Sequence, residues 1–296
     1  MKNKKYSLMH KPLNNFGIYQ SLSVNKAGWN LLNFNARIMK KGESWKENTG
    51  EYEYGIILFS GNYSVKSNKG NWKTFNGRKS VFHGIAHTLY LPKNTDFELK
   101  AESEILDIGC GAGDFLQYMK ENHWNINGVD TSNKARKIAN KKLNIKVMDP
   151  KDWINNKEKY DVITCWHSLE HVHEPWVYLD KIKKSLTLDG FLIVALPNYQ
   201  STDAKIYKEF WAAYDTPRHL YHFTIKSMNK TIKPHGLNIE SIYRMNFDPF
   251  YVSMLSAKHM GKSFMSGLIN GFKSWTLSIF SKDKCSSLIF IIKKNA

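Results

Sequence analysis

Two short stretches concentrate the residue types and backbone freedom that chemistry needs. In the first, Ile105-Leu106-Asp107-Ile108 runs into Gly109-Cys110-Gly111-Ala112-Gly113-Asp114. Glycines at alternate positions let a backbone approach a ligand closely and adopt positive φ. A helix beginning behind them offers unpaired N–H donors. A ligand with a polar head and a flat base suits such a turn. The second stretch, Trp166 to Pro175, holds His167, Glu170, His171, His173 and Glu174. An imidazole titrates near neutrality, so His167 and His171 are candidate general bases. Their four-residue spacing would also set two imidazoles on one helix face, as metal binding requires. For His171 the alternative is a histidine simply hydrogen-bonded into the start of a helix.

These stretches need a scaffold, and the pattern from about Glu102 onward supplies one. Strands are expected at Ile105–Ile108, Ile126–Asp130, Ile145–Met148, Asp161–Cys165 and Phe191–Ala195. Helices are expected at Asp114–Asn122, Lys134–Lys142 and Trp176–Leu186, the last with apolar spacing at Trp176, Leu179, Ile182 and Leu186. Alternating strand and helix implies a parallel sheet covered on both faces, and ligands bind at the carboxyl ends of its strands. Asp130, at the tip of the second strand, can accept both ribose hydroxyls of a nucleoside. Asp149 follows the third strand, where Asp-Pro-Lys-Asp is also a good turn and helix cap.

The glycine spacing here is G-x-G-x-G, not the G-x-G-x-x-G of dinucleotide binders, and Asp107 precedes it by two residues. It resembles the first motif of class I S-adenosylmethionine-dependent methyltransferases. Leu169-Glu170-His171-Val172 before Pro175 is similar to the same position in the ubiquinone-biosynthesis O-methyltransferases. Pro217-Arg218-His219-Leu220-Tyr221-His222-Phe223 resembles a stretch of the broad type-23 methyltransferase group.

The resemblance covers nearly all of 102–296 and implies a doubly wound, Rossmann-like α/β fold. The last two strands would lie at about Ile239–Arg244 and Leu288–Lys293, antiparallel at the edge. It also implies S-adenosylmethionine as cofactor, held by Asp107, Gly109, Gly111, Gly113 and Asp130, with Asp149 near the adenine amine. Arg218, His219 and His222 become candidates for contact with a small-molecule acceptor; bracing a lid over the site is the other reading. Related enzymes often carry a further acid three residues before the glutamate, with a proposed metal role. His167 stands there instead, so no metal is expected.

Before residue 101 the texture is strand and turn, implying a small all-β sandwich or barrel. Strands are expected at Glu53–Ser60, Tyr63–Lys66, Val81–Phe82, Thr88–Leu91 and Phe97–Leu99. Several segments resemble the first cupin half of 5-deoxy-glucuronate isomerase: Ala27-Gly28-Trp29, Gly42-Glu43-Ser44, Thr49–Tyr54, Leu58–Gly61, Gly77–Phe82 and Tyr90–Thr95. In that family the metal ligands belong to the second cupin, and no histidine lies around Glu51–Ile56, so no isomerase activity is expected. His83 and His87 read as unpaired loop histidines. Half of a bicupin exposes an interface, so the domain offers a route to homo-oligomers. The expected division is 1–101, cupin-like, and 102–296, methyltransferase. A different reading makes the chain a carbohydrate-binding or isomerase-related protein whose α/β part is inactive; the intact Asp107, Gly109, Gly111, Gly113 and Asp130 oppose it.

Composition narrows the partners. The formal charge is +17, yet only five of the 43 basic residues are arginine, and phosphate readers favour arginine forks. The Asn/Asp-Pro-Pro-Tyr tetrad of amino-directed DNA methyltransferases is absent after the fourth strand. Both points argue against nucleic acid. No apolar run approaches the roughly 20 residues of a membrane span. Three scattered cysteines give no disulfide framework, and a cytoplasmic location is expected.

Overall fold

The computed structural model describes residues 17–23, 33–40, 42–74, 87–122 and 124–295. The segments around Trp29, Gly77–Phe82 and His83 lie outside them. The chain divides into two compact units, Met1–Ser103 and Glu104–Ala296.

The first unit is all-β among its described residues. Strands β1 (Gly17–Leu22) and β2 (Phe34–Ile38) form an antiparallel ribbon. Strands β3 (Ser44–Asn48), β5 (Asn62–Ser67), β6 (Gly70–Lys73) and β8 (Asp96–Glu102) make an antiparallel sheet in the order β3-β8-β5-β6. Strand β4 (Tyr54–Ile57) pairs with β7 (Thr88–Leu91). Side chains alternate faces along a strand, so β5 buries Tyr63 and Val65 while β8 buries Phe97 and Leu99. Trp45 meets Phe97 edge-on at 5.0 Å between ring centres. The run Glu53–Ser60 reads as a buried strand in sequence. It is shorter than that and alternates, leaving Ile57 and Phe59 exposed.

The second unit is a six-stranded sheet in the order β10-β9-β11-β12-β14-β13. Strands β9 (Glu104–Ile108), β10 (Asn125–Val129), β11 (Tyr160–Trp166) and β12 (Leu186–Pro197) are parallel. Strands β13 (Leu237–Arg244) and β14 (Ser287–Lys294) close the far edge antiparallel. Residues 105–108 of β9 are all buried, as a parallel strand covered on both faces requires.

One face packs Ile105 and Ile126 against Leu116 of α1 (Asp114–Glu121) and Ala139 and Leu143 of α2 (Asn133–Leu143). The other packs Leu106, Ile163 and Leu192 against Trp153 of α3 (Pro150–Asn155), Leu179 and Ile182 of α4 (Pro175–Ser185) and Met228 of α6 (Ile225–Ile232). Helix α5 (Thr202–Tyr207) follows β12. Between β13 and β14 lies a helical hairpin of α7 (Asp248–His259) and α8 (Phe264–Phe280).

Two expectations change. The strand at Ile145–Met148 reduces to a lone bridge, Val129 to Met148. Asn144 ends α2 in the left-handed region, and the Asn140 side chain takes the Val147 N–H that a ladder would use. In α4, Trp176 lies on the flank and is half exposed; Pro175, Leu179, Ile182 and Ser185 form the buried stripe, and Leu186 already belongs to β12.

Candidate functional site

Strand β9 leads to β10 on one side and β11 lies on the other, so the crevice beyond their carboxyl ends is the topological switch point of the sheet. The glycine turn enters it from β9. Gly109, Gly111 and Gly113 have φ of 78°, 55° and 82°. A Cβ on Gly109 would stand 2.1 Å from Ser168 Oγ, and one on Gly113 would stand 2.7 Å from Leu143 Cδ1. Those two glycines let the turn pack against the loop after β11 and against α2. Gly111 differs, because a Cβ there would meet nothing within 4 Å. Its flank is open, and its N–H donates to Asp130 Oδ2 at 2.9 Å.

Asp130 follows β10. Its Oδ1 accepts from the Ser132 N–H at 2.8 Å, and Arg136 binds its carbonyl at 2.7 Å. Each carboxylate oxygen has a second lone pair, so the backbone orients Asp130 without consuming its acceptor capacity. Asp149 caps α3 through the Lys151 N–H at 3.0 Å and pairs with Arg136 at 3.1 Å. Arg136 thereby ties the β10 tip to the segment after the Met148 bridge.

Asp107 is buried within β9 and accepts from Thr164 Oγ at 2.6 Å. Burial lifts its pKa to about 7, Thr164 opposes the rise, and Asp130 adds to it. Cys110, inside the turn, is pushed up to about 12 by burial and the neighbouring Asp107 and Asp130 charges, so it is no nucleophile at neutral pH.

The loop after β11 brings the histidines. Ser168 Oγ donates to the Ile108 carbonyl at 2.9 Å, locking this loop to the glycine turn. His167 has φ 46°, a strained region for a side chain of its size. Its Nδ1 lies 3.4 Å from Glu170 Oε1 and its Nε2 lies 3.4 Å from Met245 Sδ. Burial works against its protonated form, but Glu170 and Asp248 outweigh that and hold its pKa above the ordinary value.

Glu170 is fully buried, and neither carboxylate oxygen has a hydrogen-bond donor among the described residues. A buried carboxylate without donors is costly. Sequence reasoning passed over Glu170 as a site residue, although it stands in the quoted motif between two candidates. Its burial was the missing signal.

The segment after α5 comes back over this loop. The Leu220 N–H donates to the Glu170 carbonyl at 2.8 Å, and Tyr221 OH to the His173 carbonyl at 3.0 Å. His219 gives its Nδ1–H to the Ala213 carbonyl at 2.9 Å, which leaves Nε2 as a lone pair 3.9 Å from Glu170 Oε1. Burial pushes the His219 pKa below the ordinary value, and neighbouring His171 adds to the effect. His171 is exposed and bonds the Arg218 carbonyl through Nδ1 at 3.0 Å; its ring lies 4.7 Å from that of His219.

Glu170, His171 and His219 place one potential ligand atom each within 4.8 Å of one another. The sequence expectation of no metal turned on His167; the structure assembles a different trio, with His219 arriving from 48 residues farther along the chain. A buried carboxylate with no hydrogen-bond donor, its nearest cationic partner being His167 at 3.4 Å, and two imidazoles held through Nδ1 fit a divalent cation.

His222 packs on Tyr214 at 5.1 Å and lies 6.3 Å from the His219 ring. Arg218 does not face the trio. It forms an exposed two-point pair with Asp215, at 2.6 and 3.1 Å.

A doubly wound sheet with a glycine turn after its first strand and a carboxylate at the tip of its second defines a nucleoside-binding protein. The methyltransferase domain family model matches residues 83–242, more than half the chain, and the chain belongs to that family. Residues 8–120 match the KduI/IolB family.

Ubiquinone biosynthesis O-methyltransferase of Actinobacillus pleuropneumoniae serotype 7 is 30% identical over 107 residues, 32% of this chain and 46% of that enzyme. The enzyme of the same name from Nitrosospira multiformis is 25% identical over 168 residues, covering 50% and 68%. An uncharacterized methyltransferase of Staphylococcus carnosus is 27% identical over 185 residues, 59% of this chain and 88% of that one. The chain thus spans about half the length of the first of these relatives. Magnesium protoporphyrin IX methyltransferase of Synechocystis, solved with bound SAH, is 16% identical, covering 66% of this chain and 75% of that one, with a TM-score of 0.43. Among the described residues no helix is long and apolar enough to cross a membrane.

Proposed function

We propose that this chain transfers a methyl group from S-adenosylmethionine to an oxygen or nitrogen of a small-molecule acceptor, in the cytoplasm. The observation that carries the reading is Asp130 held by the Gly111 N–H beside the open flank of that glycine. This arrangement presents an oriented diol acceptor next to room for the rest of a nucleoside. Gly109 and Gly113 shape the turn, Asp107 lies beneath it, and Asp149 supports the adenine side through Arg136.

Methyl transfer is an in-line displacement whose leaving group is a neutral thioether. Alignment and exclusion of water therefore supply most of the catalysis. His219 and His222 meet the acceptor from the covering segment, and Arg218 stands at its rim. His167 and His171 are the candidate bases; His167 is the better placed, being half-buried and held by Glu170. A divalent cation held by Glu170, His171 and His219 would, when bound, polarise an acceptor hydroxyl. The cupin-like unit serves as a ligand-binding or self-association module.

Calorimetric titration of S-adenosylmethionine into wild type and Asp130→Ala tests the cofactor site. Weakening by at least tenfold, about 1.4 kcal/mol, is the expected result. Absence of binding to the folded wild-type chain would overturn the reading.

A further inference from the structure

Helix α8 is built inside out. Its buried positions are Gly267, Gly271, Ser274 and Ser278, all small. The two glycines let it lie directly on α7: a Cβ on Gly267 would stand 2.7 Å from the Met254 Cα, and one on Gly271 would stand 2.8 Å from the Phe250 Cα. Ser274 hydrogen-bonds the buried Asp203 at 2.8 Å. The large apolar side chains face the other way. Met265 is 61% exposed, Ile269 64% and Phe272 59%, and the exposed Ile279 and Phe280 continue the same face about two turns on. Spacings of four, three and seven residues put these on a single stripe. On an ordinary surface helix the same residues would pack inward and the polar ones outward.

The charge around this stripe has one sign. From Pro249 to Lys282 the chain contains no aspartate or glutamate, while Lys258, Lys262, Lys273 and Lys282 fall within the same span. Lys258, Lys262 and Lys273 are exposed. An apolar stripe flanked by lysine, on a helix of 17 residues that does not span a bilayer, matches a helix lying in the plane of an anionic lipid surface. A second copy of the chain would have to bring acids to meet these lysines, and the stripe's own surroundings in a symmetric pair bring more lysines instead.

We propose that the α7–α8 hairpin docks this protein onto an anionic membrane surface, with Met265, Ile269, Phe272, Ile279 and Phe280 entering the headgroup boundary and the flanking lysines meeting lipid phosphates. This rests on the hairpin alone and stands whether or not the methyl-transfer reading holds.

The test is co-sedimentation of the full chain with vesicles of phosphatidylcholine alone and with roughly 30% phosphatidylglycerol. Binding is expected to the anionic vesicles, at least tenfold weaker to the neutral ones, and to fall as salt is raised. Ile269→Asp combined with Phe272→Asp should lower vesicle binding at least tenfold. The combination Lys258→Gln, Lys262→Gln and Lys273→Gln should remove the preference for anionic lipid. Circular dichroism and S-adenosylmethionine binding of these variants should match the wild type, since none of the substituted side chains is buried. No partition of wild type into anionic vesicles overturns the proposal. So does a wild-type dimer in solution that Ile269→Asp and Phe272→Asp dissociate, which would assign the stripe to self-association.

Discussion

Replacing Gly109 by alanine attacks the point where the two halves of the site touch. The new Cβ would lie 2.1 Å from Ser168 Oγ and 2.7 Å from Ser168 Cβ, on a backbone with φ +78°. The left-handed conformation costs alanine about 1–2 kcal/mol. Forcing a methyl into an occupied position costs about 1–3 kcal/mol more. The sum, about 2–5 kcal/mol, is a large share of the roughly 5–15 kcal/mol that holds a domain together. Ser168→Gly separates the two contributions. By itself it loses the bond from Ser168 Oγ to the Ile108 carbonyl, at about 1 kcal/mol. Combined with Gly109→Ala it relieves the clash and leaves the backbone strain together with the lost Ser168 bond. Urea unfolding of the four proteins in the double-mutant cycle, followed by circular dichroism, reads the coupling. The expected value is about 1–3 kcal/mol, favouring the double variant over the sum of the singles. Because the His171 N–H bonds the Ser168 carbonyl at 3.1 Å, Gly109→Ala should also displace His171 within the trio of Glu170, His171 and His219. A Gly109→Ala protein within about 0.5 kcal/mol of wild type, or a coupling near zero, would refute the packing argument.

Asp107→Asn should change how stability varies with pH. The folded carboxyl, lifted to about 7, keeps a proton that the unfolded chain has already released, so wild-type stability falls as pH rises from about 4 to about 7. The fall amounts to at most about 4 kcal/mol, roughly three pH units at 1.36 kcal/mol each. The asparagine variant should lack this slope in urea midpoints measured across the window, and an unchanged slope would show Asp107 ionised throughout. Mn²⁺ binding followed by electron paramagnetic resonance should weaken at least tenfold in Glu170→Gln and in His219→Ala; equal affinity in all three proteins would remove the trio as a cation site. Arg218→Ala removes only an exposed pair and should shift stability by under about 1 kcal/mol in urea unfolding, while steady-state kinetics should show a raised acceptor KM. Asp203→Asn leaves one of two buried donors poorly matched, Trp211 Nε1 or Ser274 Oγ, and should cost about 1–3 kcal/mol in chemical denaturation. A cost near zero would mean that the network is not coupled to folding.

The parts of the fold legible in the sequence are those set by local pattern. The buried run Ile105–Ile108, the glycine turn and the helix at Asp114 are adjacent in the chain and announce themselves by hydropathy and by glycine spacing. What the sequence hid depends on groups far apart in the chain. His219 and Glu170 meet because the covering segment bonds back through the Leu220 N–H, which no spacing rule encodes. The strand expected at Ile145–Met148 fails because a side chain, Asn140, wins a backbone donor. The orientation of α8 was equally hidden: periodicity shows that a helix has two faces, but only packing shows that its glycines and serines are the buried ones.

The covering segment and the α7–α8 hairpin are tied to each other by hydrogen bonds that centre on Asp203. This fully buried carboxylate on α5 accepts from Trp211 Nε1 at 2.7 Å and from Ser274 Oγ at 2.8 Å. Trp211 begins the segment that carries His219, and Ser274 lies on the inner face of α8. A second tie runs from Ser256 of α7 to the Ala212 N–H at 2.8 Å. A third joins Tyr207 of α5 to Asn270 of α8 at 3.0 Å. Buried, fully paired polar groups of this kind fix one arrangement because any slip leaves donors or acceptors unmet. The outward stripe of α8 and the segment that carries His219 are therefore joined through buried hydrogen-bonded contacts.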